Sequence, residues 1–316
     1  MKKKKRNKKV IGILTADWHL SHKAPVWRSN EPDWYAAMKR PLLEIEELSK
    51  KHRDCPVFAT GDIFDKWNSP AELINFAIKN IPREVIAIPG QHDLPNHNIK
   101  ELSRSAFASL TLSKAIKYVR DTYSNKHKVH TTTFPYGYPI EKLDKCYLDF
   151  VNIALVHDYV WISKHSYPNA PEEKRVPLRP KKKNMVDNKY YGYDVIVYGD
   201  NHKGFKTYVG DTTIFNCGTL MRRKSDEEDY KPQVGLLYDD GSVEAYYLDV
   251  SEDKHLTAEA AKQMEEIEEL DITELATELK KLGSSALDFA DAIKHQCRKS
   301  KIEKPVRDVL NKAMEK

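Results

Sequence analysis

Short apolar runs that stop at glycine or at small residues recur along this chain. VIGILTAD (10–17), CPVFATGD (55–62) and EVIAIPGQHD (84–93) share one design, in which an apolar stretch is followed at once by acids or histidine. A β-branched strand that ends in a glycine turn delivers the next side chains to the carboxyl edge of a sheet, where ligands bind. Gln91, His92 and Asp93 are accordingly expected on display rather than buried. Between these runs, residues 33–50 and 69–80 carry apolar side chains at helical spacing, with Leu43, Ile45 and Leu48 in the first and Leu73, Phe76 and Ala77 in the second. The alternation predicts βαβ units. FVNIALVHD (150–158) and YDVIVYGDNH (193–202) continue the series, followed by shorter strands near 205–217 and a hairpin in VGLLYDDGSVEAYYLDV that turns at Asp240-Gly241. The second half is strand-rich, so a mixed sheet is expected there. From about residue 253 the pattern becomes helical, through Leu275, Leu279 and Leu282 and on through Phe289, Ile293, Val306, Leu310 and Ala313.

Composition changes this picture little. With 316 residues, 40% apolar and 31% charged, the chain can bury a full core and reads as soluble. No apolar run approaches the roughly 20 residues that span a bilayer, and MKKKKRNKKV lacks the apolar segment of a signal peptide, so no membrane partner is expected. The expected location is the cytoplasm, the host's if the chain is phage-encoded. Cys55, Cys146, Cys217 and Cys297 are far apart and form no CxxC pair, which favours reduced thiols over disulfides or zinc.

Charge is informative where it is local. The net charge is +5, yet residues 1–9 form a basic tail and EEKRVPLRPKKKN (172–184) a second basic stretch. Polyanions are the expected partners of such stretches. The helical tail begins with the opposite sign, with eight acids against one lysine between Glu259 and Glu278, which points to a protein partner or to packing on the core rather than to DNA. Three segments result: a basic tail (1–9), a catalytic domain (10–252) and a helical tail (253–316).

The chemistry lies in five strand ends. They present Asp17 and His19 in ADWHL, Asp62 and Asp65 in GDIFD, Gln91, His92 and Asp93 in GQHD, His157 in LVHD, and Asp200 and His202 in GDNH. One Asp-x-His triplet arises easily by chance, but the five together, each after an apolar strand, predict a metal-dependent hydrolase. Carboxylates and imidazoles without thiolates suit Mn²⁺, Fe²⁺ or Mg²⁺. Two such ions about 3.5–4 Å apart can activate water and neutralise phosphoryl oxygens together.

These residues resemble the calcineurin-like metallophosphoesterase superfamily, whose pattern is D-x-H, G-D-x-x-D, G-N-H-[DE], H and G-H-x-H. More narrowly, ADWHL, GDIFDKWNSP and NCGTLMRRKSDEE resemble the SbcD-type DNA-repair nuclease subunit, including phage recombination endonuclease subunits; the resemblance spans about residues 10–250. It implies a two-sheet αββα sandwich, here with a C-terminal helical tail. It also implies two divalent ions, with Asp17, His19 and His202 on one, Gln91, His157 and Asp200 on the other, and Asp62 bridging. His92 is then the residue that contacts the phosphate and protonates the leaving oxygen, with Asp65 as the carboxylate that pairs with it, orients its ring and favours its charged form.

Two positions depart from the pattern, and both fall on one ion: Gln91 stands where the family has Asn, and Asp200 where it has the first His of G-H-x-H. A more oxygen-rich site favours Mn²⁺ or Mg²⁺; the competing reading is a weakened or vacant second site. Arg175, Arg179, Lys181, Lys182 and Lys183, with Arg222 and Arg223, are the expected contacts to a DNA backbone. Trp18, Trp67 and Tyr159 either stack on bases or pack the wall of the site, and His97 is the histidine outside the motifs most expected near it. SbcD-like subunits work with an SbcC-like coiled-coil ATPase and form homodimers; this chain has no Walker motif, and the tail is where the ATPase contact is expected. The sequence therefore predicts a Mn²⁺-dependent exonuclease or endonuclease subunit of DNA recombination and repair. The alternatives are a stand-alone phosphatase or phosphodiesterase and a catalytically weak DNA-end or partner-binding module.

Overall fold

The computed structural model describes residues 8–143, 147–163, 165–176, 190–257 and 259–261, together with Met264. The chain divides into two compact units, Met1–Ala261 and Lys262–Lys316. The apolar positions of the predicted helical tail beyond Ala261 lie outside the described residues, as do Cys146 and Cys297.

In chain order the regular elements are β1 (Val10–Thr15), α1 (Trp34–Lys51), β2 (Val57–Thr60), α2 (Ala71–Asn80), β3 (Val85–Ile88), α3 (Ala106–Leu112) and β4 (Ile116–Lys117). There follow β5 (Asp121–Ser124), β6 (Val129–Phe134), β7 (Val151–His157), β8 (Val195–Gly199), β9 (Phe205–Val209), β10 (Thr212–Asn216), β11 (Gln233–Tyr238) and β12 (Val243–Tyr247). They build two six-stranded mixed sheets, ordered β12-β11-β1-β2-β3-β4 and β5-β6-β7-β8-β10-β9. β1 to β4 run parallel, and so do β6, β7, β8 and β10, while hairpin strands close the edges in antiparallel register. The parallel run of the first sheet follows from the βαβ alternation, because α1, α2 and α3 are crossovers that bring each next strand back beside the last.

Each layer of core can be read from the side chains that alternate along the strands. Between the sheets, Leu14, Phe58 and Ile88 meet Ile153, Leu155, Val195, Val197 and Phe215, all essentially buried. Phe58 lies so close over Gly12 that a Cβ there would sit 2.6 Å from its ring. The outer face of the first sheet packs on α1, α2 and α3 through Ile13, Val57, Ala59, Met38, Leu42, Ile45, Leu73 and Phe107. On the outer face of the second, Ala154, Val156, Ile196, Tyr198 and Ile214 are covered by Val160, Val176, Tyr190 and Tyr193, so among the described residues irregular segments rather than long helices form this layer. The structure is thus an α/β sandwich of two mixed sheets with helices on its flank.

Both predicted helices are present within one or two residues of their expected bounds, and Asp33 caps α1 by accepting the Ala36 N–H at 3.0 Å. The predicted hairpin turns at Asp240-Gly241, where Gly241 takes φ 77°. Leu43 departs from expectation: it is 45% exposed, because the stripe that faces the sheet runs through Met38, Leu42, Ile45 and Leu48 instead. Cys55 and Cys217 are buried free thiols. No described helix is long and apolar enough to cross a membrane.

This layering sets an expected contrast in stability. Phe58→Ala empties the space between the sheets and should cost about 3–5 kcal/mol in urea unfolding, whereas Leu43→Ala should change stability by at most about 0.5 kcal/mol. Equal effects of the two would contradict the placement of the core.

Candidate metal centre

The carboxyl ends of β1, β2, β3, β7 and β8 converge on one cleft edge, and the five predicted motifs lie there. The backbone is unusual at this edge: Asp17 (φ 48°), His19 (φ 45°), Asp62 (φ 51°) and Asp200 (φ 81°) are all left-handed without being glycine. Such conformations cost about 1–3 kcal/mol each and persist where surrounding bonds enforce them. Here Asp17 N–H donates to Gly61 O (3.1 Å), His19 N–H to Asp62 O (2.9 Å) and Leu20 N–H to Ile63 O (2.9 Å), so the ADWHL and GDIFD turns are laced together. Asp93, expected on display, is instead fully buried as the staple of this corner. Its carboxylate accepts the N–H groups of Ile63 (3.1 Å), Phe64 (3.0 Å) and Gly90 (3.0 Å). Burial, with Asp62 nearby, pushes Asp93 up to about 7.

Glycine makes room for His157. A Cβ on Gly61 would fall 2.0 Å from His157 Nδ1, one on Gly90 2.6 Å from its Cε1, and one on Gly199 2.8 Å from Nδ1. In that slot Nδ1 donates to Thr60 O at 2.6 Å, which leaves Nε2 facing the cleft.

What faces the cleft is a set of metal-ligating atom types. His157 Nε2 lies 2.6 Å from Gln91 Oε1 and 3.5 Å from Asp62 Oδ2, and His19 Nε2 lies 3.0 Å from His202 Nε2. Asp62 Oδ1 accepts the His92 N–H at 2.9 Å, but Oδ2 is buried and has no hydrogen-bond partner among the described residues. Two groups, Asp17–His19–His202 and Asp17–Asp62–His157, each bring their ligand atoms within 4.8 Å of one another. A buried carboxylate oxygen without a hydrogen-bond partner is unfavourable unless a cation lies against it. The nitrogen and oxygen donor set fits divalent ions; Asp17 is common to both groups, and Asp62 Oδ2 lies 3.5 Å from His157 Nε2 in one and 3.9 Å from His19 Nε2 in the other.

The two departures from the family pattern meet one another. Gln91 Nε2 donates to Asp200 Oδ1 at 2.6 Å, which turns the amide oxygen toward His157, and the Asp200 N–H donates to Asp17 Oδ1 at 3.0 Å. Asp200 therefore sets the orientation of Gln91 and steadies Asp17.

Other expected roles need correction. Asp65 does not pair with the His92 ring through its carboxylate: His92 Nδ1 donates to the Asp65 backbone oxygen at 2.9 Å. The carboxylate instead accepts from Arg223 Nη2 at 2.7 Å and lies 3.7 Å from His19 Nδ1. That bond holds Arg223 at the site rather than free for a distant phosphate. Arg222 is withdrawn further, with its guanidinium over Trp27 and 3.4 Å from the Asp253 carboxylate. Arg175 pairs with Glu172 at 2.9 Å and lies over Trp161, while Arg179, Lys181, Lys182 and Lys183 lie outside the described residues. Trp18 is fully buried with its N–H on Thr15 Oγ1, so it packs the wall and does not stack on a ligand; Trp67 and Tyr159 are half-buried. His97 is exposed and meets Tyr136 edge-on, and Tyr136 in turn lies 6.4 Å from the His157 ring.

One functional residue escapes the motif reading. Glu227, in NCGTLMRRKSDEE, places Oε1 3.6 Å from His202 Nδ1, while its Oε2 accepts the N–H groups of Arg223 (2.6 Å) and Lys224 (3.1 Å). A carboxylate behind a ligating histidine fixes its ring and raises its basicity. The segment was conspicuous in the sequence; its reach to His202 depends on the tertiary fold.

The protonation of the cleft tells the same story. Burial raises Asp17 to about 7 despite His202 and His157. Burial works against charge on His157, but Asp62 and Asp17 outweigh it and lift the ring to about 10. Burial, then Arg223 and His202, holds His19 well below its ordinary value. The metal-free cluster thus retains a proton on His157 below about pH 10, and on Asp17 below about pH 7. A cation must displace these protons, so divalent affinity should rise between pH 6 and pH 9. Calorimetric titration with Mn²⁺ in buffers of different ionisation enthalpy should register net proton release, and a pH-independent affinity without release would contradict this protonation scheme.

Residues 13–204 match the family model of the calcineurin-like phosphoesterases. No curated protein matches the chain. Among solved structures it is similar to an archaeal phosphodiesterase (12% identity, 75% of this chain and 99% of that one, TM-score 0.37). It is also similar to a putative 5'-nucleotidase from Staphylococcus aureus in complex with alpha-ketoglutarate (13%, 81% and 58%, 0.43) and to the calcineurin-like phosphoesterase YfkN from Bacillus subtilis (12%, 85% and 99%, 0.42). A family match over most of the catalytic unit joins the donor set at the strand ends, and the chain belongs to the calcineurin-like phosphoesterase family.

Proposed function

We propose that this phosphoesterase is a DNA nuclease subunit that hydrolyses phosphodiester bonds with two divalent ions, preferably Mn²⁺, in concert with an SbcC-like coiled-coil ATPase. The observation that carries the hydrolytic reading is the buried Oδ2 of Asp62, which has no hydrogen-bond partner among the described residues and lies 3.9 Å from His19 Nε2 and 3.5 Å from His157 Nε2. Asp17, His19 and His202 would hold one ion, Gln91 and His157 the other, with Asp62 between them and Asp200 positioning Gln91. When bound, such a pair supplies an activated water and charge against the phosphoryl oxygens.

The chain's own residues supply the rest. His92 is exposed, and its Nδ1 is engaged by the Asp65 carbonyl, so Nε2 is the atom that meets substrate and delivers a proton to the leaving oxygen. Arg223 holds the Asp65 carboxylate against His19, and Glu227 holds His202, so both residues of NCGTLMRRKSDEE that touch the site act on its ligand shell. DNA as the substrate is supported by the likeness of that segment, of ADWHL and of GDIFDKWNSP to SbcD-type subunits. With no Walker motif in this chain, ATP coupling falls to the partner, and the tail (253–316) is assigned to that contact; a homodimer belongs to the same reading.

Nucleotide release from end-labelled linear duplex DNA in Mn²⁺ tests this. His92→Ala should slow release by about 10²–10⁴-fold with Mn²⁺ binding retained, and Asp17→Ala should abolish both. Cleavage of a small aryl phosphodiester with DNA left intact would overturn the nuclease reading and leave a stand-alone phosphodiesterase.

A further inference from the structure

A strongly basic groove lies at the end of the sheets opposite the metal centre. Its volume is about 880 Å³, and it opens where β1 and β6 begin, beside the last turn of α1. β1 alone separates the two ends by six residues, about 20 Å of strand. Lys8, Lys9, Lys51, Arg53, Lys126 and Lys128 line the groove, all exposed, against the acids Asp149 and Asp239.

Little of this charge is neutralised within the protein. Lys8 pairs with Asp240 at 2.8 Å, and Lys128 lies over the Phe150 ring; among the described residues Lys9, Lys51, Arg53 and Lys126 have no ion-pair partner. Like charges gathered in a concave surface repel one another and are relieved by a polyanion. The buried His127 lines this groove and two adjoining ones, and its Nε2 has no hydrogen-bond partner among the described residues. A neighbouring groove of about 540 Å³ shares Lys126 and His127 and adds Arg83, Lys117 and the exposed ring of Tyr123, beside the acids Asp54 and Glu84. In the sequence, Lys8 is preceded by MKKKKRN, which carries five further cations.

We infer that this groove is a second nucleic-acid site, which holds the phosphodiester backbone of a single strand at the pole remote from the metal centre. A groove that is concave, lined with Lys, Arg and Tyr, suits a strand better than it suits a flat lipid surface. The inference stands apart from the nuclease reading, since a site that holds a strand need not be the one that cuts it.

Fluorescence anisotropy of a labelled oligodeoxythymidylate, in chelator and over a range of salt, tests it on the full chain. The triple variant Lys51→Gln/Lys126→Gln/Lys128→Gln keeps the side-chain stems and removes three charges. It should bind at least tenfold more weakly and flatten the slope of log affinity against log salt by about 2, at about 0.7 per lost phosphate contact. Hydrolysis of bis(p-nitrophenyl) phosphate in Mn²⁺ should stay at the unsubstituted level, which shows that the fold and metal centre are intact; loss of that hydrolysis in the unsubstituted chain would count against the proposed function and not against the groove. Unchanged oligonucleotide affinity and salt slope in the variant would overturn the inference. So would a variant that loses binding to phosphatidylglycerol vesicles while its oligonucleotide affinity is unchanged.

Discussion

A carboxylate oxygen sealed from water, with no hydrogen-bond partner among the described residues, is the constraint from which the active end of this protein can be understood. Asp62 Oδ1 is satisfied by the His92 N–H, but Oδ2 lies 3.5 Å from the His157 ring and 3.9 Å from the His19 ring, too far for a good hydrogen bond, and has no hydrogen-bond partner among the described residues. Leaving such an atom dry costs about 1–3 kcal/mol or more for a charged group. Glycines at 61, 90 and 199 nevertheless pack so tightly around His157 that water has little room to enter. Left-handed aspartates and a histidine, the buried Asp93 staple and the Thr60–His157 bond all hold these lone pairs in one place. Each of these features is costly alone, and together they make sense as a preformed shell for cations.

Gln91 and Asp200 are where the chain departs from its family pattern. Gln for Asn lengthens the amide stem, and Asp for His replaces a donor nitrogen with a carboxylate. Because Gln91 and Asp200 bond to one another at 2.6 Å, the longer side chain is turned so that its oxygen still reaches His157. Read singly, each substitution suggests a damaged site; side by side, they leave an amide oxygen 2.6 Å from His157 Nε2. The segment around Arg223 and Glu227 plays a similar part on the other side, one residue securing Asp65 and the other His202.

Much of this was legible in the sequence, and the reasons are physical. Strands that stop at glycine announce a sheet edge, so the five motifs and the parallel order of β1, β2 and β3 could be read directly. Helical spacing gave α1 and α2, although it put Leu43 on the wrong face because one turn of a helix admits two neighbouring stripes. β4, β5 and β6 are short or polar and carry no comparable signal. The fate of Asp93, the backbone anchoring of His92 and the pairing of Arg222 with Asp253 depend on bonds between distant segments. A local pattern shows which residue types are present, but not whether a carboxylate turns outward to a ligand or inward to backbone N–H groups.

The central claim is that Asp62 lies between two ions, and the electron paramagnetic resonance spectrum of the protein titrated with Mn²⁺ tests it most directly. The structure predicts an exchange-coupled spectrum from a bridged pair in the unsubstituted chain, and only the hyperfine pattern of isolated ions in Asp62→Asn. An isolated-ion spectrum at saturation in the unsubstituted chain, or a coupled spectrum that survives Asp62→Asn, would contradict it.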